Sequence, residues 1–183
     1  FRQGLPAASG EALVKDIEIT GYVRDRTPSV SFSSRAYVLP KTPNVALPIE
    51  SVNASEIELT LRRVSDRNLL RAIQEDYFGR PMSAWTEETF AHEVAEDIWT
   101  GTATLNQQLN QDVTTRLPLD EALKGQPAGI YALKASIKGT DPYDNPPATQ
   151  WFVLSDLGVA TASGIDGLHV FVRSLASAEV KAG

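Results

Sequence analysis

The feature that most constrains the fold is a pair of strand-like runs joined by a loop of turn-forming residues. In residues 129–137 (GIYALKASI), apolar side chains recur at every second position, which places them on one face of an extended strand. Residues 139–147 (GTDPYDNPP) are dense in glycine, proline, aspartate and asparagine, and residues 150–154 (QWFVL) are strongly β-prone. Together the three stretches predict a β-hairpin.

Further stretches of this kind occur along the chain. In residues 57–64 (IELTLRRV), Ile57, Leu59 and Leu61 share one face, which predicts a strand with that face against a core. Other β-prone stretches are residues 17–23, 31–39, 99–105, 158–161 and 168–172. Many short strands without a regular alternation of strand and helix predict a mainly β fold, an antiparallel β-sandwich of the immunoglobulin-like class.

The apolar period lengthens to three and four in the middle of the chain. Leu69, Ile73 and Tyr77 recur at this spacing and predict a helix over residues 68–78. A second stripe predicts another helix that runs through Phe90, Val94 and Ile98. The sequence therefore predicts a short helical insertion at about residues 66–98, between strands of the sandwich.

Composition and charge exclude several functions for these 183 residues. The net charge is −6, the pI is near 4.9 and the basic residues are dispersed, so we expect no nucleic-acid partner. No apolar run reaches the roughly 20 residues that cross a bilayer, so we expect no membrane insertion by this segment. The chain has no cysteine, which excludes disulfides, thiolate metal sites and a cysteine nucleophile within it.

One candidate metal site lies in the predicted second helix. His92, Glu96 and Asp97 place an imidazole and a carboxylate one turn apart. A hydrolytic zinc site usually has three protein ligands, and the helical zinc motif needs a second histidine, whereas His169 lies far along the chain. We interpret the group as a solvated helix face.

A candidate calcium site lies in the predicted hairpin loop. Asp141, Asp144 and Asn145 carry the oxygen ligands that hard cations favour. Their spacing matches no EF-hand, and prolines flank them, so turn formation explains these residues more simply.

A catalytic triad is also considered and set aside. Ser155, Asp156 and His169 supply the residue types, but the chain has no Gly-x-Ser-x-Gly elbow. Such a serine more often bonds to backbone groups. We assign no catalytic, cofactor-binding or metal-binding residue and do not expect an enzyme.

The aromatic residues leave a second function open. A sugar-binding face could be formed by Tyr37, Tyr77, Trp85, Trp99, Tyr131, Tyr143 and Trp151. Trp151 and Tyr131 lie in alternating strands and are expected in the core, whereas Trp85 is expected to be exposed. With the loop at residues 141–145, exposed aromatics define the alternative, a cell-surface adhesin or carbohydrate-binding β-sandwich module.

Three stretches carry a resemblance to a known family. Residues 151–179 (WFVLSDLGVATASGIDGLHVFVRSLASAE) are similar to a junction between macroglobulin-like domains of the bacterial alpha-2-macroglobulins, which are large protease traps. Residues 58–73 (ELTLRRVSDRNLLRAI) and 117–133 (LPLDEALKGQPAGIYAL) resemble the same family. Members carry a bait region and, in many cases, a thioester formed from a Cys and a Gln. That chemistry cannot be carried onto this chain, which has no cysteine.

The resemblance implies a place within a longer secreted protein, and both ends look cut from a longer chain. It implies that residues 1–27 end the preceding domain or linker, residues 28–156 form a macroglobulin-like sandwich, and residues 157–183 open the next domain. It also implies a non-catalytic module of an endopeptidase inhibitor in host defence. The implied partners are neighbouring domains of the parent and, through the parent, target proteases. The implied location is the periplasm, on a lipoprotein anchored in the inner membrane.

Overall fold

Ten strands and two α-helices make up the described part of the chain. The computed structural model describes residues 1–33, 36–80 and 82–181, without the side chains of residues 36, 37 and 84. The strands are β1 (Ser29–Phe32), β2 (Ala36–Leu39), β3 (Ala46–Val52), β4 (Glu56–Val64), β5 (Ala95–Thr104), β6 (Val113–Pro118), β7 (Gly129–Ile137), β8 (Ala148–Leu154), β9 (Leu157–Gly164) and β10 (Gly167–Ser174). Between β4 and β5 lie a 3-10 turn (Asp66–Asn68), α1 (Leu69–Gln74) and α2 (Ala84–Glu93).

Two sheets form the sandwich, and a separate hairpin follows it. The five-stranded sheet has the order β2-β8-β7-β4-β5, and the three-stranded sheet has the order β1-β3-β6. The pairs are antiparallel except β2 with β8, which is parallel. Strands β9 and β10 form their own antiparallel pair. The predicted mainly β sandwich and the predicted β7–β8 hairpin are confirmed, with one parallel pair at a sheet edge.

The sandwich core lies between the two sheets and is almost entirely apolar. Period-two alternation places one set of side chains from each strand here. Its largest buried members are Leu47, Ile49, Ile57, Leu61, Leu117, Leu119, Tyr131, Leu133 and Phe152. Tyr131 and Phe152 stack across neighbouring strands, with ring centroids 5.5 Å apart. Burial of this apolar surface is the main stabilising contribution to the sandwich.

The helical insertion covers the other face of the five-stranded sheet. Phe90 from α2 meets Trp151 from β8 edge to face, with ring centroids 5.1 Å apart, and both side chains are fully buried. Ser83 caps α2, because its hydroxyl accepts a hydrogen bond from the Thr86 N–H at 3.2 Å. The α1 and α2 region, called the helical layer below, therefore packs on its own sheet.

Several predicted element boundaries are wrong. Residues 17–23 form no strand, because they pair with no strand of the described chain, and Val23 is 89% exposed. The predicted strand over residues 31–39 is divided between β1 and β2, which belong to different sheets. Helix α2 ends at Glu93 rather than continuing through Ile98, because the chain from Ala95 onward pairs with β4.

Strands β3 and β6 were not predicted from the pattern. Pro48 lies within β3, in register with Arg116 of β6, and proline is disfavoured inside a sheet because it donates no backbone hydrogen bond. Pairing of β3 with β1 ends at Ile49, so Pro48 lies just beyond that ladder. No helix among the described residues is long and apolar enough to cross a membrane.

Candidate functional site

A group of charged side chains under α2 contains the most buried charges among the described residues. Arg62 lies on β4 and faces the helical layer, directly after a register irregularity at Leu61/Arg62. Glu87 lies in the first turn of α2, where the helix dipole favours a negative charge. Arg62 is 6% exposed and Glu87 is 7% exposed. Burial of both charges requires that they be paired.

Each buried charge of this group has at least one partner of opposite charge. Arg62 Nη1 donates to Glu87, and Arg62 Nε donates to Asp97 Oδ1 at 2.5 Å. Lys134 Nζ, from β7, lies 3.0 Å from Glu87 Oε1. Burial by itself would lower the pKa of Arg62, but the hydrogen bonds to Glu87 and Asp97 outweigh it and leave the pKa raised. We call Arg62, Glu87, Asp97 and Lys134 the charged cluster.

The charged cluster borders a cavity of about 380 Å³ that opens to solvent. Glu88 and His92 of α2 and Tyr143 of the β7–β8 loop also line it. The two basic and two acidic side chains of the charged cluster neutralise one another, and their pairing holds α2 against the sheet. Within the charged cluster, each carboxylate is paired with a cation: Glu87 with Arg62 and Lys134, and Asp97 with Arg62.

The candidate metal ligands are separated by the end of α2. His92 is on α2, whereas Glu96 and Asp97 are on β5, so the three do not share a helix face as predicted. Asp97 is engaged by Arg62. Within residues 1–33, 36–80 and 82–181, no group of three His, Cys, Asp or Glu side chains is arranged to hold a metal ion.

The predicted turn role of Asp141 is confirmed. Its carboxylate accepts a hydrogen bond from the Tyr143 N–H at 2.8 Å, and its carbonyl accepts from the N–H groups of Asp144 and Asn145. These contacts close a turn between β7 and β8.

The candidate triad residues lie in separate structural networks. Ser155 Oγ accepts from the Leu157 N–H at 3.0 Å, as expected for a serine that satisfies the backbone. Asp156 accepts from the Ser174 hydroxyl at 2.8 and 2.9 Å and from the Ala176 N–H at 3.0 Å, and these bonds lower its pKa. His169 contacts Asp166 instead. The three residues do not form a triad.

The aromatic residues divide as predicted between core and surface. Trp151 and Tyr131 are fully buried, and Trp85 is 74% exposed. Tyr143 is also exposed, whereas Tyr77 is buried in the helical layer and Trp99 packs against the edge of the sandwich core. The side chain of Tyr37 lies outside the described part of the chain.

The sequence pattern did not predict the charged cluster, because its members are distant in sequence. Arg62 belonged to the polar face of a predicted half-buried strand, and Glu87 to the first turn of a predicted helix. If the predicted helix is placed over the polar face of this strand, Arg62 becomes buried and needs a charged partner. That placement is the signal that the sequence offered. The fold and these contacts define a class of protein module, a β-sandwich with a helical layer whose charged groups hold the elements together.

Comparisons with known proteins identify the family. A model of the bacterial alpha-2 macroglobulin MG2 domain matches residues 31–152. Curated alpha-2-macroglobulins of Escherichia coli (strain K12) and Xylella fastidiosa (strain 9a5c) are 29% and 27% identical over 177 and 180 residues. These matches cover 97% and 95% of this chain but 10% and 11% of the relatives, so the chain spans about a tenth of their length.

Solved structures agree on the family, although the first of them spans domains named MG0, NIE and MG1 rather than MG2. The crystal structure of native E. coli alpha-2-macroglobulin spanning domains MG0-NIE-MG1 is 28% identical with a TM-score of 0.68, over 98% of this chain and 56% of that chain. The native conformation of the E. coli protein determined by cryo-EM gives 27% identity and a TM-score of 0.69, over 96% of this chain and 11% of that chain. The chain belongs to the bacterial alpha-2-macroglobulin family, which confirms the resemblance and the macroglobulin-like fold.

Proposed function

We propose that this segment is a non-catalytic structural module of a bacterial alpha-2-macroglobulin-like protease trap. The observation that carries the proposal is the match of residues 31–152 to the MG2 domain of this family. The contacts of the described polar residues support it, since the most buried charges serve to hold α2 on the sheet.

The two-layer packing supports a mechanical role. A trap needs walls that keep a cavity open and move as rigid bodies when the protease acts. The sandwich core and the helical layer bury both faces of the five-stranded sheet, so this sheet does not depend on a neighbour for its burial. A module of this kind contributes to the trap through its rigid shape and needs no reactive residue.

The domain limits and the cellular context belong to the same proposal. Residues 28–156 form the sandwich module, residues 1–27 end the preceding domain or linker, and residues 157–183 open the next domain. The apolar side chains of Leu168, Val170 and Phe171 on the β9–β10 hairpin are more than half exposed, as expected for a sheet that other segments complete. The parent is a periplasmic lipoprotein that inhibits endopeptidases in defence of the cell, and its partners are its own domains and target proteases.

The test uses the purified full-length parent with trypsin. Residual protease activity is measured on a large protein substrate and on a small peptide, before and after incubation with the parent. We expect cleavage of the large substrate to fall while cleavage of the small peptide continues, because a trapped protease stays accessible only to small molecules. If both activities are unchanged across several proteases, the proposal is wrong, and glycan and calcium binding become the next properties to measure.

A further inference from the structure

An extended segment before the sandwich is attached to two loops by side chains that the proposed function does not use. The backbone N–H of Arg26 donates to Asn110 Oδ1 at 2.8 Å. The Arg26 carbonyl accepts from Asn53 Nδ2 at 2.7 Å. Both backbone polar groups of Arg26 are therefore satisfied by asparagine side chains, in the way that a neighbouring strand would satisfy them.

The side chains of Asp25 and Arg26 extend these contacts. The Arg26 guanidinium donates to both carboxylate oxygens of Asp112, at 2.8 and 3.0 Å, and to the Asn110 carbonyl at 3.3 Å. Asn110 Nδ2 donates to Asp25 Oδ1 at 2.8 Å. A bidentate pair between guanidinium and carboxylate fixes orientation as well as distance.

The two asparagines lie at one end of the sandwich, in loops that cross between its sheets. Asn53 lies between β3 and β4, and Asn110 lies between β5 and β6. They bond to each other, since the Asn110 N–H donates to Asn53 Oδ1 at 2.8 Å. Their φ angles of +49° and +60° lie in the left-handed region, which asparagine tolerates better than most residues.

We propose that Asp25, Arg26, Asn53, Asn110 and Asp112 form a linker clasp that holds the preceding segment in one direction relative to the sandwich. Residues 17–23 are exposed and have no strand partner in the described chain, and the backbone bonds of Ile17 go to Phe1 within the same preceding segment. The clasp is therefore the contact that orients this segment on the sandwich. Pro28 restricts the backbone between the clasp and β1, so a direction set at Arg26 is passed to the sheet. This inference holds whether or not the parent protein traps proteases.

The test is hydrogen exchange in the full-length parent carrying Asn110→Gly. Glycine keeps the left-handed backbone without strain and removes the amide that binds Asp25 and Arg26. The matched control is Asn44→Gly, since Asn44 also has a positive φ, +64°, and makes none of the clasp's hydrogen bonds. Amides of β4 and β7 report whether the sandwich stays folded.

We expect exchange of the peptide covering residues 22–27 to rise through its Arg26 amide, which loses its acceptor in Asn110→Gly, by about tenfold at that amide, and to stay unchanged in Asn44→Gly. Arg26→Ala, which leaves the sandwich loops intact, is the second variant, and it should raise exchange in the same peptide by a smaller factor. The clasp is refuted if neither variant exchanges faster there than Asn44→Gly. It is supported if the rise is confined to residues 22–27 while β4 and β7 keep their protection.

Discussion

The two faces of the five-stranded sheet are buried in different ways. The inner face meets the three-stranded sheet through apolar side chains such as Leu133 and Phe152. The outer face meets the helical layer through Trp151 and Phe90, but it also buries the ion pair of Arg62 and Glu87. The inner face is therefore stabilised mainly by apolar packing, whereas the outer face combines packing with buried charges that must stay paired.

The difference reflects the elements that cover each face. The strands of the three-stranded sheet are held to one another by the β1–β3 and β3–β6 ladders. Helix α1 has only six residues, too few to be stable alone, so the helical layer depends on tertiary contacts. Asn68 provides one such contact by donating to the carbonyls of Glu93 and Val94 at the end of α2. Arg62 and Lys134 provide others at its beginning.

The largest effect is expected on the inner face. Phe152→Ala leaves a cavity against Tyr131 and should lower the free energy of unfolding by about 4 kcal/mol. Urea unfolding followed by circular dichroism measures this. The control is Trp85→Ala, which removes an exposed aromatic ring and should change stability by less than about 0.5 kcal/mol. Similar losses in the two variants would contradict the packing of the sandwich core.

The outer face should respond to a broken pair rather than to a cavity. Arg62→Ala leaves Glu87 buried, with Lys134 as its remaining partner, and should lower the free energy of unfolding by about 3 kcal/mol. The double variant Arg62→Leu/Glu87→Leu should recover much of this loss, because both buried charges are gone and the partners left, Lys134 and Asp97, are 22% and 52% exposed.

Arg71→Ala is the matched control for this comparison. Arg71 pairs with Glu75 and Glu93, but all three side chains are at least 40% exposed, so Arg71→Ala should cost much less stability than Arg62→Ala. The faces would not differ as described if Arg62→Ala were no more costly than Arg71→Ala, or if the double variant were less stable than Arg62→Ala.

A smaller effect is expected from pH at the start of the β9–β10 hairpin, outside both faces. The Ser174 hydroxyl and the Ala176 N–H lower the pKa of Asp156 below its ordinary 3.8. The stabilisation is therefore complete above pH 3.8 and is lost as the pH falls through the lowered folded-state pKa. Titration of the hairpin by NMR should show this step, and Ser174→Ala should move it towards 3.8. An unmoved step would contradict the role of the Ser174 hydroxyl.

Strands with clean alternation and a local turn were predictable from sequence. Residues 129–137 coincide with β7, and the turn at Asp141 follows from local residue chemistry. The end of α2 was not predictable, because Val94 and Ile98 continue the helical spacing while pairing with β4 decides the structure. The parallel pairing of β2 with β8 also depends on tertiary contacts rather than on local pattern.

The same limit applies to the charged cluster. Arg62 and Glu87 are separated by 25 positions, and each fits an exposed face of its own element when read locally. Their pairing depends on how α2 crosses the sheet, which is set by the packing of Phe90 on Trp151.

In the proposed function, this segment acts through its fold and not through reactive side chains. The most direct measurement is trapping of trypsin by the full-length parent carrying His92→Ala, Glu96→Ala and Asp97→Ala together, with thermal unfolding measured on the same sample. We predict unchanged protection of the large substrate, with at most a small fall in melting temperature from the lost contact of Asp97 with Arg62. Loss of trapping in a variant that unfolds at the normal temperature would contradict the claim.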